Sequence, residues 1–207
     1  MMEKELMRSR SRLATSAVAA AFLLSACVAE PSGEVGIANT PNPFAGAVVV
    51  SAQAEDAVAL VVEGEGLRFF DRETGSASPL PFGRPQQDVL ASLERVRGPA
   101  GRGSNQDCGA GPVEYANWPD GLSLVFQDGR FAGWGLDGRA AGALTTAGGI
   151  GPGSTRAALD DTYGDVEVSR STLGDEFSAG GFYGLLDGPG AEARITDMWA
   201  GVSCAAR

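Results

Sequence analysis

Two stretches of the chain carry apolar residues at helical spacing, and most of the rest that is patterned alternates with a period of two. In the first, Val89, Leu90, Leu93 and Val96 recur three and four positions apart and so form one stripe on a helix. Pro85 suits the first turn of that helix, and Gly98-Pro99 ends it. In the second, Thr155 is a natural N-cap, Leu159 and Tyr163 share a face four apart, and Gly164 stops the helix. Alternation predicts strands over 113–118, 122–126 and 130–136, turning at Asp120-Gly121 and Asp128-Gly129. It predicts three more over 166–171, 182–186 and 193–199, with Asp187-Gly188 and Pro189-Gly190 between the last two. Ahead of all of these, 58–62 and 67–71 form a hairpin around Gly64-Glu65-Gly66.

The order of these elements doubles. Phe82-Gly83-Arg84-Pro85 opens the first helix and Ile150-Gly151-Pro152-Gly153-Ser154-Thr155 the second. Gly83 matches Gly153, and Val89 matches Leu159, at one offset of seventy. The expected fold class is α+β: an antiparallel sheet of about eight strands with two short helices on one face. It is built from two tandem repeats, 82–138 and 148–204, with an added hairpin at 58–71, in one domain over 47–207.

The first 46 residues have no such pattern and read as an address. Arg8, Arg10 and Arg12 make a basic region, and Leu13 to Leu24 an uncharged apolar run of twelve residues, too short to span a bilayer. The run ends in Leu24-Ser25-Ala26-Cys27, which resembles the lipobox of bacterial lipoproteins. The alternative is an ordinary signal peptide with a chance cysteine. The resemblance implies that 1–26 is a removed leader and that Cys27 is lipidated, with diacylglyceryl and palmitate-type chains that together hold a protein stably on a membrane. Val28 in place of Asp resembles cargo sent to the outer membrane, facing the periplasm, where a cell has two membranes. Otherwise the protein sits on the outer face of the cytoplasmic membrane. Glu3 and Glu5 are out of place in a basic leader, which makes Met7 an alternative start. Residues 28–46 carry Pro31, Pro41, Pro43, Gly33, Gly36 and Gly46 and read as a tether, on the order of 60 Å long if fully extended.

Charge and cysteines narrow the picture further. Of the 16 Lys and Arg and 26 Asp and Glu, four bases and two acids precede Cys27, so the remainder carries twelve Arg, 24 acids and no Lys, a net charge of −12. A surface of that sign is repelled by phosphate backbones, so nucleic acid is not an expected partner. A protein with a basic patch is. With Cys27 lipidated, Cys108 and Cys204 remain, and two thiols in an oxidising compartment are expected to pair as a disulfide, two buried free thiols being the alternative.

For chemistry, the missing residues say most. There is no His, so Ser-His-Asp, Cys-His and His-metal arrangements are excluded, and no Lys after Cys27, so Ser-Lys and Schiff-base chemistry are too. No cofactor and no metal are expected. Gly148 to Thr155 mimics a phosphate loop, but Ser154 stands where the lysine belongs, and a glycine-rich turn into a capped helix accounts for it. Carboxylate chemistry remains: Asp160-Asp161 and Asp175-Glu176 are candidate pairs for a cell-wall glycan hydrolase, against the simpler reading of solvated acids. Trp134 and Trp199 hold matching places on the last strand of each repeat, which argues for core packing. Trp118, at a strand end before Pro119-Asp120-Gly121, is the candidate partner-contact residue.

Gly151-Pro152-Gly153-Ser154-Thr155 with Leu159, Tyr163 and Gly164 resembles the helix-opening signature of the outer-membrane assembly lipoproteins of the BamE and OmlA kind. Tandem copies of such a unit are the plan of the β-lactamase-inhibitor proteins. Arg84 and Pro85 depart from the pattern in the first repeat, and more broadly the chain resembles uncharacterised lipoproteins of GC-rich bacteria. The resemblance implies a fold and no functional residue. The function expected is a non-enzymatic binding or assembly module, with the glycan hydrolase as the alternative.

Overall fold

This computed structural model describes residues 57–204, so the leader, Cys27 and the tether lie outside the described residues. Regular structure begins with the hairpin β1 (Val58–Glu63) and β2 (Gly66–Asp71), followed by β3 (Ala77–Pro81). Helix α1 (Gln86–Arg97) comes next and buries Val89, Leu90 and Leu93. Pro85 stands just before the helix, at φ −56° and ψ 134°, in the cap position and not in the first turn. At the other end Gly98 takes φ 75° and its N–H donates to the Glu94 carbonyl, which closes the helix.

Four strands follow: β4 (Gly101–Asn105), β5 (Val113–Asn117), β6 (Leu122–Gln127) and β7 (Arg130–Leu136). The β6–β7 turn places Asp128 and Gly129 at φ 51° and 70°, the two positive values that a two-residue turn of this hand requires. After a short 3₁₀ turn (Gly138–Ala140) and β8 (Thr145–Thr146), helix α2 (Arg156–Thr162) is capped by Thr155, whose Oγ1 accepts the Ala158 N–H at 3.2 Å. It ends at Tyr163, in extended backbone, one residue before Gly164. The chain closes with β9 (Glu167–Arg170), β10 (Asp175–Ala179), β11 (Phe182–Leu186) and β12 (Ile195–Gly201).

The strands form two sheets. The larger is antiparallel throughout, in the order β4-β5-β6-β7-β12-β11-β10-β9. The α+β class and the two helices are as expected, but the hairpin does not extend this sheet. Its edges are taken by β3, antiparallel to β2, and by β8, parallel to β1, giving a separate sheet in the order β3-β2-β1-β8.

One face of the large sheet carries the core. Leu122, Leu124, Phe126, Trp134, Leu136, Phe177, Met198 and Ala200 cluster with Val89, Leu90 and Leu93 of α1, Leu159 of α2, and Leu60, Val62 and Leu67 of the small sheet. Each large apolar side chain buried this way contributes about 1.5–3 kcal/mol relative to exposure. Polar ties fix the layers: the Trp134 indole N–H donates to the Glu63 carbonyl at 2.8 Å. Gly64 lies so close to the β10–β11 turn that a Cβ there would sit 2.4 Å from the Gly180 carbonyl oxygen.

The segments that open the two helices share a hydrogen-bond pattern. The Gly83 N–H donates to Phe131 O and the Gly153 N–H to Ile195 O, both at 2.7 Å. Phe131 N–H donates to Arg84 O and Ile195 N–H to Ser154 O, both at 2.9 Å. The carbonyls of Gly83 and Gly153, turned by φ of 85° and 90°, accept from the guanidinium groups of Arg130 (2.8 Å) and Arg194 (2.7 Å). Both glycines adopt a backbone that L side chains rarely take, which is why glycine recurs at that position.

Candidate functional site

Because side chains alternate across a strand, the register sorts each residue of the large sheet onto one face or the other. Ala116 faces Leu124, Leu124 faces Trp134 and Trp134 faces Ala200, all on the core side. One residue along, Ser123 faces Gly135, Gly135 faces Trp199, Trp199 faces Tyr183, Tyr183 faces Ser178 and Ser178 faces Glu167. This second row lies on the other side, away from both helices and the small sheet. A neighbouring row on the same side runs Asp197, Leu185, Glu176, Ser169.

The β4–β7 end of that face is partly closed. Cys108 and Cys204 form the expected disulfide, with S–S 2.00 Å and Cα–Cα 5.2 Å. Together with Val113, Val125, Tyr115 and Val202 they make a small second cluster on this side of the sheet. Among the described residues the β9–β12 end carries no such cluster. There Tyr183, 44 % exposed, stacks on Trp199 with ring centroids 6.4 Å apart and planes at 18°.

Trp118 is corrected. It is only 3 % exposed, it belongs to the main core, and its indole N–H donates to the Gly98 carbonyl at 3.0 Å. The turn that follows it is drawn back onto α1 by an ion pair between Asp120 and Arg97, whose guanidinium burial pushes below its ordinary value. Trp118 therefore ties the end of α1 to the β5–β6 turn and offers no surface to grip. Trp134 and Trp199 are not equivalent either. Trp134 pairs with Ala200 on the core side, and Trp199, one residue before Ala200, falls on the other face.

The candidate carboxylate pairs do not face each other as pairs. Asp175 and Glu176 are neighbours on β10 and point to opposite sides, Asp175 to Arg170 at 3.0 Å and Glu176 to the uncovered side. Asp160 is held by Arg156 of its own helix at 3.5 Å. Glu114 and Asp128 share an open depression of about 290 Å³, where Glu114 accepts a hydrogen bond from the Gln86 amide at 2.7 Å. The glycine-rich loop before α2 spends its N–H groups internally: Gly149 on Thr146 O, Ile150 on Thr146 Oγ1, Gly151 on Ser154 Oγ and Ser154 on Gly151 O. Among the described residues no group of three Cys, Asp or Glu is placed to hold a metal ion, and no helix is long and apolar enough to cross a membrane.

Tyr183, Leu185 and Asp197 were not singled out by sequence reasoning, and Glu176 only as half of a candidate catalytic pair. Their signal is the alternation in β10, β11 and β12, which becomes legible only once β10 is known to be a strand. Set against family models, curated proteins and solved structures, the chain matches none of them.

Proposed function

We propose that this protein is a membrane-tethered binding module of a bacterial envelope, lipidated at Cys27 and presenting the helix-free face of its large sheet to a protein with a basic surface. The observation that carries the proposal is that face. One side of the sheet is occupied by α1, α2 and the small sheet, while the β9–β12 half of the other side presents Tyr183, Leu185, Glu176 and Asp197 with no second cluster of packed residues over them among the described residues. A sheet normally buries one face and solvates the other with polar residues, and here the second face carries an exposed tyrosine stacked with a buried tryptophan.

The two-repeat reading of 82–138 and 148–204 belongs to the same proposal. It is supported by the matched bonds at Gly83 and Gly153 and at Arg130 and Arg194, and by the strand order, in which β4-β5-β6-β7 meets β12-β11-β10-β9 at a central β7–β12 pair. Joining two units edge to edge doubles the breadth of the free face. The resemblance to assembly lipoproteins points the same way, by analogy of fold. Anchoring by lipid, on the outer membrane of a two-membrane cell or the outer face of a single membrane, confines the domain and raises the effective concentration of partners held there.

The test is in cells and has two arms. Fatty-acid labelling should mark the wild type and not Cys27→Ser, and crosslinking in intact cells should recover one specific envelope protein. Turnover of cell-wall glycan by the purified protein, stopped by replacing a single carboxylate, would overturn the binding-module proposal in favour of a hydrolase.

A further inference from the structure

The uncovered face differs from one half to the other. Toward β4 it presents Gly101, Gly103 and the cystine cluster. Toward β9 its charged residues are Glu167, Glu176 and Asp197, all acids. The arginines of those strands are engaged elsewhere, Arg170 with Asp175 and Arg194 with the Gly153 carbonyl, and among the described residues none of the three acids has an arginine partner. Glu176 is the most telling. Its Oε1 is buried and accepts no hydrogen bond. A buried carboxylate oxygen without a donor is costly, and a cation brought close by another molecule offsets that cost through space, without reaching the enclosed oxygen. Next to it the Tyr183 ring lies with one face on Trp199 and is 44 % exposed, so its free side is a platform for a cation.

We propose that the β9–β12 half of this face docks a lysine- and arginine-rich segment of a partner protein, with one cation over the Tyr183 ring and others at Glu176 and Asp197. Glu176 and Asp197 flank Leu185 on adjacent strands, two strand spacings or about 10 Å apart, a distance that three residues of extended chain span. Leu185 between them is half-buried and meets the apolar stems of such side chains. The proposal rests on the binding-module reading and adds to it the place and the chemistry.

The experiment uses the whole mature protein and a short synthetic peptide rich in Lys and Arg, with a peptide of the same length carrying Glu at those positions. Binding is read by calorimetry at low and physiological salt, with circular dichroism confirming that each variant is folded. The basic peptide should bind, more weakly as salt rises, and the acidic one should not. Glu176→Gln with Asp197→Asn should weaken binding roughly tenfold. Tyr183→Ala should weaken it severalfold and Tyr183→Phe should restore it, because the ring is what is used. Glu65→Gln with Glu73→Gln removes the same charge elsewhere and should leave affinity unchanged. Equal loss in that control would mean that net charge alone attracts the peptide, and unchanged affinity in the face variants would mean that the peptide sits elsewhere. Either result overturns the proposal. If a crosslinked envelope protein is still captured by Tyr183→Ala and by the Glu176/Asp197 variant, the module reading stands and this site is wrong. Turnover of glycan would instead remove the module reading itself.

Discussion

Opening the Cys108–Cys204 cystine, by reduction or by replacing both residues with serine, releases a loop of 96 residue steps. In the chain-entropy account, a closed loop of that size restricts the unfolded chain by about 4.7 kcal/mol at 25 °C. Compactness already present in the unfolded ensemble makes this an upper figure. The folded state adds a smaller local contribution. The bridge runs across the sheet, from the segment before β5 to the segment after β12, with β6 and β7 between them. It covers Val113 and Val125. Without it the end segment is still held by the Val202 N–H on the Ala132 carbonyl at 2.8 Å, so those valines lose only part of their cover. A domain of this size loses about 2–4 °C of melting temperature per kcal/mol, so the expected drop is roughly 9–19 °C. Thermal and denaturant unfolding of the oxidised and reduced proteins measures it. The reduced protein should also show a steeper denaturant dependence, because its unfolded chain exposes more surface. Coincident midpoints would refute the loop-entropy reasoning, and two free thiols in the exported, folded protein would remove the bridge itself.

Trp118→Ala should destabilise the domain by about 3–5 kcal/mol, as truncation of a buried aromatic does, and Trp118→Phe by about 1–3 kcal/mol, since it keeps the bulk but strands the Gly98 carbonyl. Denaturant midpoints check both, and a neutral Trp118→Ala would return that residue to the surface. Thr155→Ala removes the side-chain acceptor for the Ala158 N–H and should cost about 1 kcal/mol, with Thr155→Ser close to wild type in melting temperature. Asp137 is held below the ordinary aspartate value of 3.8, chiefly by side-chain hydrogen bonds from Arg139; burial opposes them, and the Arg139 backbone N–H and charge lower it further. A carboxyl depressed in the folded state stabilises above its unfolded value and loses that contribution as pH falls through the folded one. Arg139→Ala should therefore move the Asp137 titration midpoint, followed by NMR, up toward 3.8, and an unmoved midpoint would refute the pairing.

The helices were legible in the sequence because each has a stripe and a stop: Val89, Leu90 and Leu93 before Gly98, and Leu159 behind the Thr155 cap. Strands with alternating apolar residues and Asp-Gly turns were legible for the same local reason. Apart from β10, whose Asp-Glu-Phe-Ser-Ala alternates but holds few apolar residues, the strands that escaped notice lack that signal. β4 reads Gly-Arg-Gly-Ser-Asn and is almost wholly exposed, and β3 buries only Leu80. Both are edge strands whose positions come from backbone pairing to β5 and β2, not from their own side chains. β8 is two residues long and exists because β1 offers it an edge. The separate small sheet was hidden for this reason: nothing in the β1–β2 hairpin says which neighbours will complete it. Trp118 was misplaced because a tryptophan before a turn has no intrinsic direction. Its burial follows from Gly98, twenty residues earlier, presenting a carbonyl to the indole N–H.

The three tryptophans also show how the free face comes to carry an aromatic at all. On β7, Trp134 points into the core and bonds the Glu63 carbonyl. On β12 the residue level with it is Ala200, which lies on the same side, and the residue before that is Trp199. A shift of one residue along a strand moves a side chain through the sheet, so two tryptophans in nearly the same place along their strands lie on opposite faces. Opposite Trp199 stand Gly135 on one side and Tyr183 on the other. Of these two neighbours only Tyr183 brings a ring, and it stacks with the indole. Neither ring belongs to the main core cluster, which lies on the far face. A buried indole stacked with an exposed tyrosine, with Glu176 and Asp197 one row away, is thus set on the face that the helices leave free. Its use is to be sought in what approaches that face.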